Sequence, residues 1–215
     1  AINMIAGTTT AATITNLATG ATIVNGTSDQ DAETITLDTV AGASLTVKLD
    51  DEATGALTIT DAASVTISAA DATETASVGS TVLDSSDTTS LTIIGSENAF
   101  ALDVGAITGN NNLETITITT DTSSGAVTVG DVTDVGEMTS ISLTSSAANI
   151  VFNTAADIGA DADSSEGESL AAVTLSATNS TIDFGYGQTI FHDSVTDSTT
   201  DLTVTYTITT ATSGT

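Results

Sequence analysis

Leu113-Glu114-Thr115-Ile116-Thr117-Ile118, Met138-Thr139-Ser140-Ile141-Ser142-Leu143 and Leu170-Ala171-Ala172-Val173-Thr174-Leu175 are written to one pattern. An apolar residue is followed by two spacers, and then apolar residues alternate with small or hydroxyl-bearing ones. A period of two places the aliphatic side chains on one side of an extended strand and Thr or Ser on the other. The same alternation recurs in Glu33-Thr34-Ile35-Thr36-Leu37, Ala56-Leu57-Thr58-Ile59-Thr60, Ser64-Val65-Thr66-Ile67-Ser68 and Ala126-Val127-Thr128-Val129. No segment carries a convincing helical spacing.

The strands recur in register. With the last apolar residue of a strand as anchor, Ile67, Ile93, Ile118, Leu143 and Leu175 follow one another at 26, 25, 25 and 32 residues. Nine residues after the last four anchors stand Leu102, Val127, Phe152 and Phe184, and twelve after the first three stand Gly79, Gly105 and Gly130. Ile14 obeys the same rule, with Ile23 and Gly26 at those offsets. The long interval holds the insertion Asp161-Ala162-Asp163-Ser164-Ser165-Glu166-Gly167-Glu168-Ser169, and removing about seven residues from it restores the shorter period.

A turn, a strand, a Gly/Ser/Asn/Asp turn, a second strand and a return, repeated about every 25 residues, spell a β-solenoid, parallel β-helix-like, of about seven coils. An antiparallel β-sandwich is the alternative, because it too has a short strand every 8 to 12 residues or so. Residues 31–57 keep the alternation but slip register. Three regions follow: a degenerate N-terminal β region over 1–66, a β-repeat region over 67–200 with the acidic insertion at 161–169, and a C-terminal strand and tail over 201–215.

Composition fits a thin coil. Hydrophobic residues make 40% of the chain but aromatics only 3%, and there is no Pro to remove a ladder donor. A narrow interior admits Ile, Val, Leu and Ala, while outward Thr suits a pleated surface.

Charge excludes whole function classes. One Lys or Arg stands against 28 Asp and Glu, a net charge of -27. Such a chain cannot neutralise a nucleic acid or bind anionic lipid through a basic patch. Lys48 lies in the strand-like Leu45-Thr46-Val47-Lys48-Leu49 and not after a Gly-rich phosphate loop. With no Cys, disulfides, thiolate zinc sites and thiol catalysis are absent. No stretch approaches the roughly 18 apolar residues of a membrane helix. The expected location is secreted or at the cell surface.

Phe191-His192-Asp193-Ser194 sets His, Asp and Ser side by side, but triads are assembled from separate segments, so His192 reads as structural and no enzymatic activity is expected. Calcium is the better candidate. Asp161, Asp163, Glu166 and Glu168 offer hard oxygen ligands on a Gly/Ser loop, with Asp50-Asp51-Glu52 and the pair Asp131 and Asp134 as lesser clusters. The competing reading is a solvated acidic loop. Asn25-Gly26-Thr27 and Asn179-Ser180-Thr181 match the N-glycosylation sequon. In the last strand Leu202, Val204, Tyr206 and Ile208 alternate with Thr, as in a strand that completes the sheet of another subunit or simply ends its own domain.

The strands Leu113 to Thr119, Met138 to Leu143 and Leu170 to Leu175, joined by Thr/Ser/Ala/Asp-rich connections with scarcely any Lys, resemble prokaryotic surface-layer proteins and large repetitive secreted adhesins. That resemblance implies export without disulfides, calcium-assisted folding or assembly, and self-association. Two functions are expected from it: an extracellular structural subunit that polymerises with its own copies into a layer or filament, or an adhesin, carbohydrate-binding or spacer module of a longer secreted protein, whose loop at 161–169 and cluster Phe184-Gly185-Tyr186-Gly187 meet a glycan.

Overall fold

The computed structural model describes residues 2–4, 11–25, 34–49, 52–69, 72, 75–84, 86–95, 100–110, 112–121, 125–133, 135, 138–152, 158–160, 171–183 and 203–209. All regular structure in them is strand. In chain order these are β1 (Ile2–Met4), β2 (Ala12–Leu17), β3 (Ala21–Asn25), β4 (Ile35–Leu49), β5 (Glu52–Ser68) and β6 (Ala76–Leu83). There follow β7 (Ser90–Ile94), β8 (Leu102–Thr108), β9 (Thr115–Thr119), β10 (Val127–Val129), β11 (Val132–Thr133) and β12 (Ser140–Ser146). The last are β13 (Ile150–Phe152), β14 (Ile158–Ala160), β15 (Ala172–Thr178), β16 (Ile182–Asp183) and β17 (Thr203–Thr209).

Each strand pairs in parallel with strands one coil away, which makes the chain a β-solenoid and not a sandwich, with about four turns whose coils lie about 25 residues apart. Three ladders of strands run along the stack. The broad face contains the expected anchors in one continuous register: Ile23, Val47, Ile67, Ile93, Ile118, Leu143, Leu175 and Tyr206. The middle face stacks Ile35, Leu57, Thr81, Ile107, Val132 and Ile158. The leading face stacks Ala76, Leu102, Val127, Ile150 and Ile182. Within a coil the chain traverses the leading face, then the middle, then the broad. The turns that carry all three ladders are fewer than the seven or so coils anticipated, because toward the N-terminus the described strands supply the middle and broad faces only.

Burial follows the alternation. Strand β9 alternates half-buried Thr with buried Ile, and β12 does the same with Ser or Thr against Ile141, Leu143 and Ser145. The buried aliphatics of all three faces form one cluster along the axis, including Leu37, Ile59, Ile67, Ile93, Val104, Ile118 and Leu143. Strands of 12–49 belong to the same ladders, but their spacing is shorter, as Val47 pairs with Ile67 only 20 residues on.

Glycines set one corner. Between the leading and middle faces Gly55, Gly79, Gly105 and Gly130 lie over one another. A Cβ on Gly79 would stand 2.6 Å from the Gly55 carbonyl oxygen, and one on Gly105 only 1.8 Å from that of Gly79. The requirement here is close approach of backbones and not a left-handed φ.

Two register expectations are corrected. Ile14 lies on the middle face against Leu37, not in the anchor column, whose member in that coil is Ile23. Period-two alternation looks the same on every face, so the sequence could not tell one side from another. Val127 pairs with Ile150, seven residues after Leu143, while Phe152 pairs with Val129. The corner before Ile150 is two residues shorter than those before Leu102 and Val127, and it contains Ala147 in a left-handed conformation, φ 60°.

Buried hydroxyls are nearly all paired. Thr88 donates to the Ala62 carbonyl at 2.6 Å and Thr120 to that of Ala148 at 3.2 Å. Thr81 is the exception among the described residues: its Oγ1 is buried between Leu57 and Ile107 without a hydrogen-bond partner. Thr81→Val is nearly isosteric and relieves that cost, so stability is expected to rise by about 1 kcal/mol, or roughly 2–4 °C in Tm. Thr88→Val, which removes the buried hydroxyl bond to the Ala62 carbonyl, is expected to lower it by a similar amount. Thermal melts of the two variants check the pair, and equal shifts of the same sign would refute the assignment.

Candidate functional site

The outer side of the broad face is the most regular surface of the molecule. Its central column is Thr22, Thr46, Thr66, Thr92, Thr117, Ser142, Thr174 and Thr205, each paired in register with the next. One flanking column is Ser44, Ser64, Ser90, Thr115, Ser140 and Ala172, and the other is Val24, Lys48, Ser68, Ile94, Thr119, Thr144, Ser176 and Thr207. Hydroxyls repeat about every 4.8 Å along the central column; the flanking columns, two residues or about 6.6 Å away, interrupt theirs with Ala172 on one side and with Val24, Lys48, Ile94 and the buried Ser68 on the other.

The electrostatics of this face differ from those of the chain as a whole. None of its strand positions is acidic, and Lys48 is its one charged residue. The described carboxylates lie elsewhere. Asp103 and Asp183 are on the leading face, Asp38 and Asp61 are where the middle face ends, Asp131 separates β10 from β11, and Asp84, Asp87, Glu114 and Asp121 are in the corners. The sequence held a usable signal for the face: Thr66, Thr92, Thr117, Ser142 and Thr174 each stand one residue before an anchor.

The corner that leads into the broad face is laddered by backbone hydrogen bonds. Thr89 N–H donates to Ala63, Glu114 N–H to Thr89, Thr139 N–H to Glu114 and Ala171 N–H to Thr139. At this corner, between β14 and Ala171, the acidic insertion interrupts the chain, and the ladder resumes after it. Asp161, Asp163, Glu166 and Glu168 themselves lie outside the described residues, as do Asp50, Asp51, Asp134, His192 and the aromatic cluster at 184–191. Asp131 is exposed. Among the described residues no group of three or more His, Asp or Glu is placed to hold a metal.

At the C-terminal end Val204, Tyr206 and Ile208 pair with Val173, Leu175 and Ala177, so β17 is the last rung of the broad ladder; Leu202 lies outside the described residues. At the other end β1 pairs with β3. Among the described residues each of these terminal strands is paired on one side only. Of the sequon residues, Asn25 ends β3 and Asn179 is exposed in the turn after β15, left-handed at φ 53°. The Ser180 hydroxyl of the second sequon bonds to the Ser145 hydroxyl at 2.6 Å.

Fold and surface together define a parallel β-solenoid with one hydroxyl-rich, nearly uncharged face, whose first and last described rungs are β1 and β17. No protein-family model, curated protein or solved structure matches the chain. Among the described residues no helix is long and apolar enough to cross a membrane.

Proposed function

We propose that this chain is an extracellular structural subunit that assembles with copies of itself into a surface layer or filament. The observation that supports it most is the broad ladder, whose outermost strands among the described residues, β1 and β17, are each paired on one side. An unpaired strand edge presents a row of free N–H and C=O groups and templates another chain. Because every pairing in the ladder is parallel, β17 of one copy and β1 of the next continue it without reversal, a head-to-tail contact that propagates. Val204, Tyr206 and Ile208, with Leu202 before them, are the proposed assembly strand.

Charge sets the conditions. Copies carrying -27 repel one another, and screening at physiological salt acts over only about 8 Å. Divalent cations, calcium first, are the proposed counterions, with Asp161, Asp163, Glu166 and Glu168 as their site, and surface glycans at Asn25 and Asn179 are compatible with an exported chain. No catalytic role is proposed.

Electron microscopy of the purified chain with and without millimolar Ca²⁺ tests this reading. Ordered polymers are expected with Ca²⁺, and deletion of residues 201–215 is expected to leave a folded but unpolymerised protein. Dispersed particles under both conditions would favour an adhesin or carbohydrate-binding spacer instead.

A further inference from the structure

Head-to-tail contacts build a thread; a layer or a bundled filament also needs a lateral contact. We infer that the outer side of the broad face is that contact and that it receives the same face of a second copy of this chain. The inference rests on the self-assembly reading, but uses a different surface from the strand edges.

Charge argues first. On a chain of net charge -27, the broad face is a wide sheet surface whose strand segments, 21–25, 43–49, 62–68, 90–94, 115–119, 140–146, 172–178 and 203–209, contain no Asp or Glu. The leading face carries Asp103 and Asp183, and carboxylates occupy the corners. Two copies that meet broad face to broad face keep those groups at the periphery, where solvent and counterions reach them; apposition of leading faces brings Asp103 and Asp183 together, and the middle face carries Asp38 at its end.

Chemistry argues next. A hydroxyl both donates and accepts, so two identical Thr/Ser arrays can satisfy each other at the cost of little more than rotating O–H bonds. A carboxylate only accepts and has no such self-complementarity. Val24 and Ile94, half-buried on the flanking column, and the Thr methyls add apolar surface to the contact.

Size argues third. Strands of five residues such as β7 and β9 are about 17 Å wide, and eight rungs at about 4.8 Å extend about 38 Å. The face therefore covers about 600 Å² per copy, or about 1,200 Å² in a pair, which reaches the lower bound of stable specific interfaces. A face built on paired strands is preorganised and needs little rearrangement to dock.

The absence of cysteine makes the test clean. Thr117→Cys places a thiol at the centre of the broad face, and Thr128→Cys places one on the leading face as control. Under mild oxidation the first is expected to become a disulfide-linked dimer and the second to stay monomeric. Thr92→Glu, checked for native circular dichroism, is expected to shift the sedimenting species from dimer to monomer. Equal cross-linking at the two positions together with an unchanged sedimentation profile of the Glu variant would overturn the inference. Electron microscopy of the unmodified chain separates the two readings: single threads without cross-linking leave head-to-tail assembly standing and remove the lateral contact, whereas cross-linked pairs without threads do the reverse.

Discussion

Gly105→Ala is expected to destabilise the protein by more than about 4 kcal/mol, a Tm loss of about 10 °C or more for a chain of this size. Its new Cβ would stand 1.8 Å from the Gly79 carbonyl oxygen and 2.6 Å from the Gly79 carbonyl carbon, well inside any van der Waals contact. The obstacle is backbone and not the end of a flexible side chain, so relief requires that two coils separate. Coils contact only their neighbours, and the loss of one interface weakens the stack on both sides of the break. Hydrogen exchange should therefore show protection lost first in β6 and β8. Gly42→Ala is the control: nothing lies within 4 Å of its Cβ position, and only the strain of φ 76° opposes the substitution. That strain costs about 1 kcal/mol. If both substitutions cost the same, the close stacking of the glycine corner is wrong.

The glycine corner also shows what the sequence made legible. Gly79, Gly105 and Gly130 were visible at a fixed offset from Ile67, Ile93 and Ile118, because those coils differ in length by a single residue. Gly55 escaped the rule although it belongs to the same corner. The connection between β4 and β5 is only two residues long, so Gly55 stands eight residues after Val47, where the rule demands twelve. The three-faced section was hidden for a related reason. Residues 76–83 form one strand, yet its first half pairs on the leading face and its second half on the middle face, with the bend at Gly79 and Ser80. Only the slip in alternation, two successive outward residues between Val78 and Thr81, betrays that bend. The hydroxyl face was legible as composition, since Thr and Ser were expected to point outward. That they align into columns free of acids depends on register between coils, which one strand cannot reveal. The acidic insertion lies outside the described residues, but the strands on either side of it keep the ladder: Ile158 pairs with Val132 before it and Ala172 with Ser140 after it.

Ile93→Asp is expected to cost most of the folding free energy near neutral pH. Ile93 is fully buried in the broad-face column between Ile67 and Ile118, and nothing in that column is cationic. Removing the side chain's apolar contacts costs about 2–5 kcal/mol, and a buried unpaired charge adds about 3–5 kcal/mol, against a total stability of about 5–15 kcal/mol for a domain. Ile93→Asn separates the two terms, because it has the same shape and polarity without the charge. The sign of the pH dependence follows from linkage. Burial disfavours the carboxylate, so the folded-state pKa of the introduced Asp is raised above its unfolded value of about 3.9. Between those values the native state binds more protons than the unfolded state, and stability falls as pH rises. The Asp and Asn variants should therefore have similar Tm near pH 4, and the Asp variant should fall progressively below the Asn variant as pH rises to 7. The subtraction matters here, because the Asn variant carries every other group of the Asp variant and cancels the pH dependence that the two share. A Tm difference that is flat from pH 4 to 7 would mean that water reaches position 93, and that the interior of the stack is not the dry aliphatic column on which its rigidity depends.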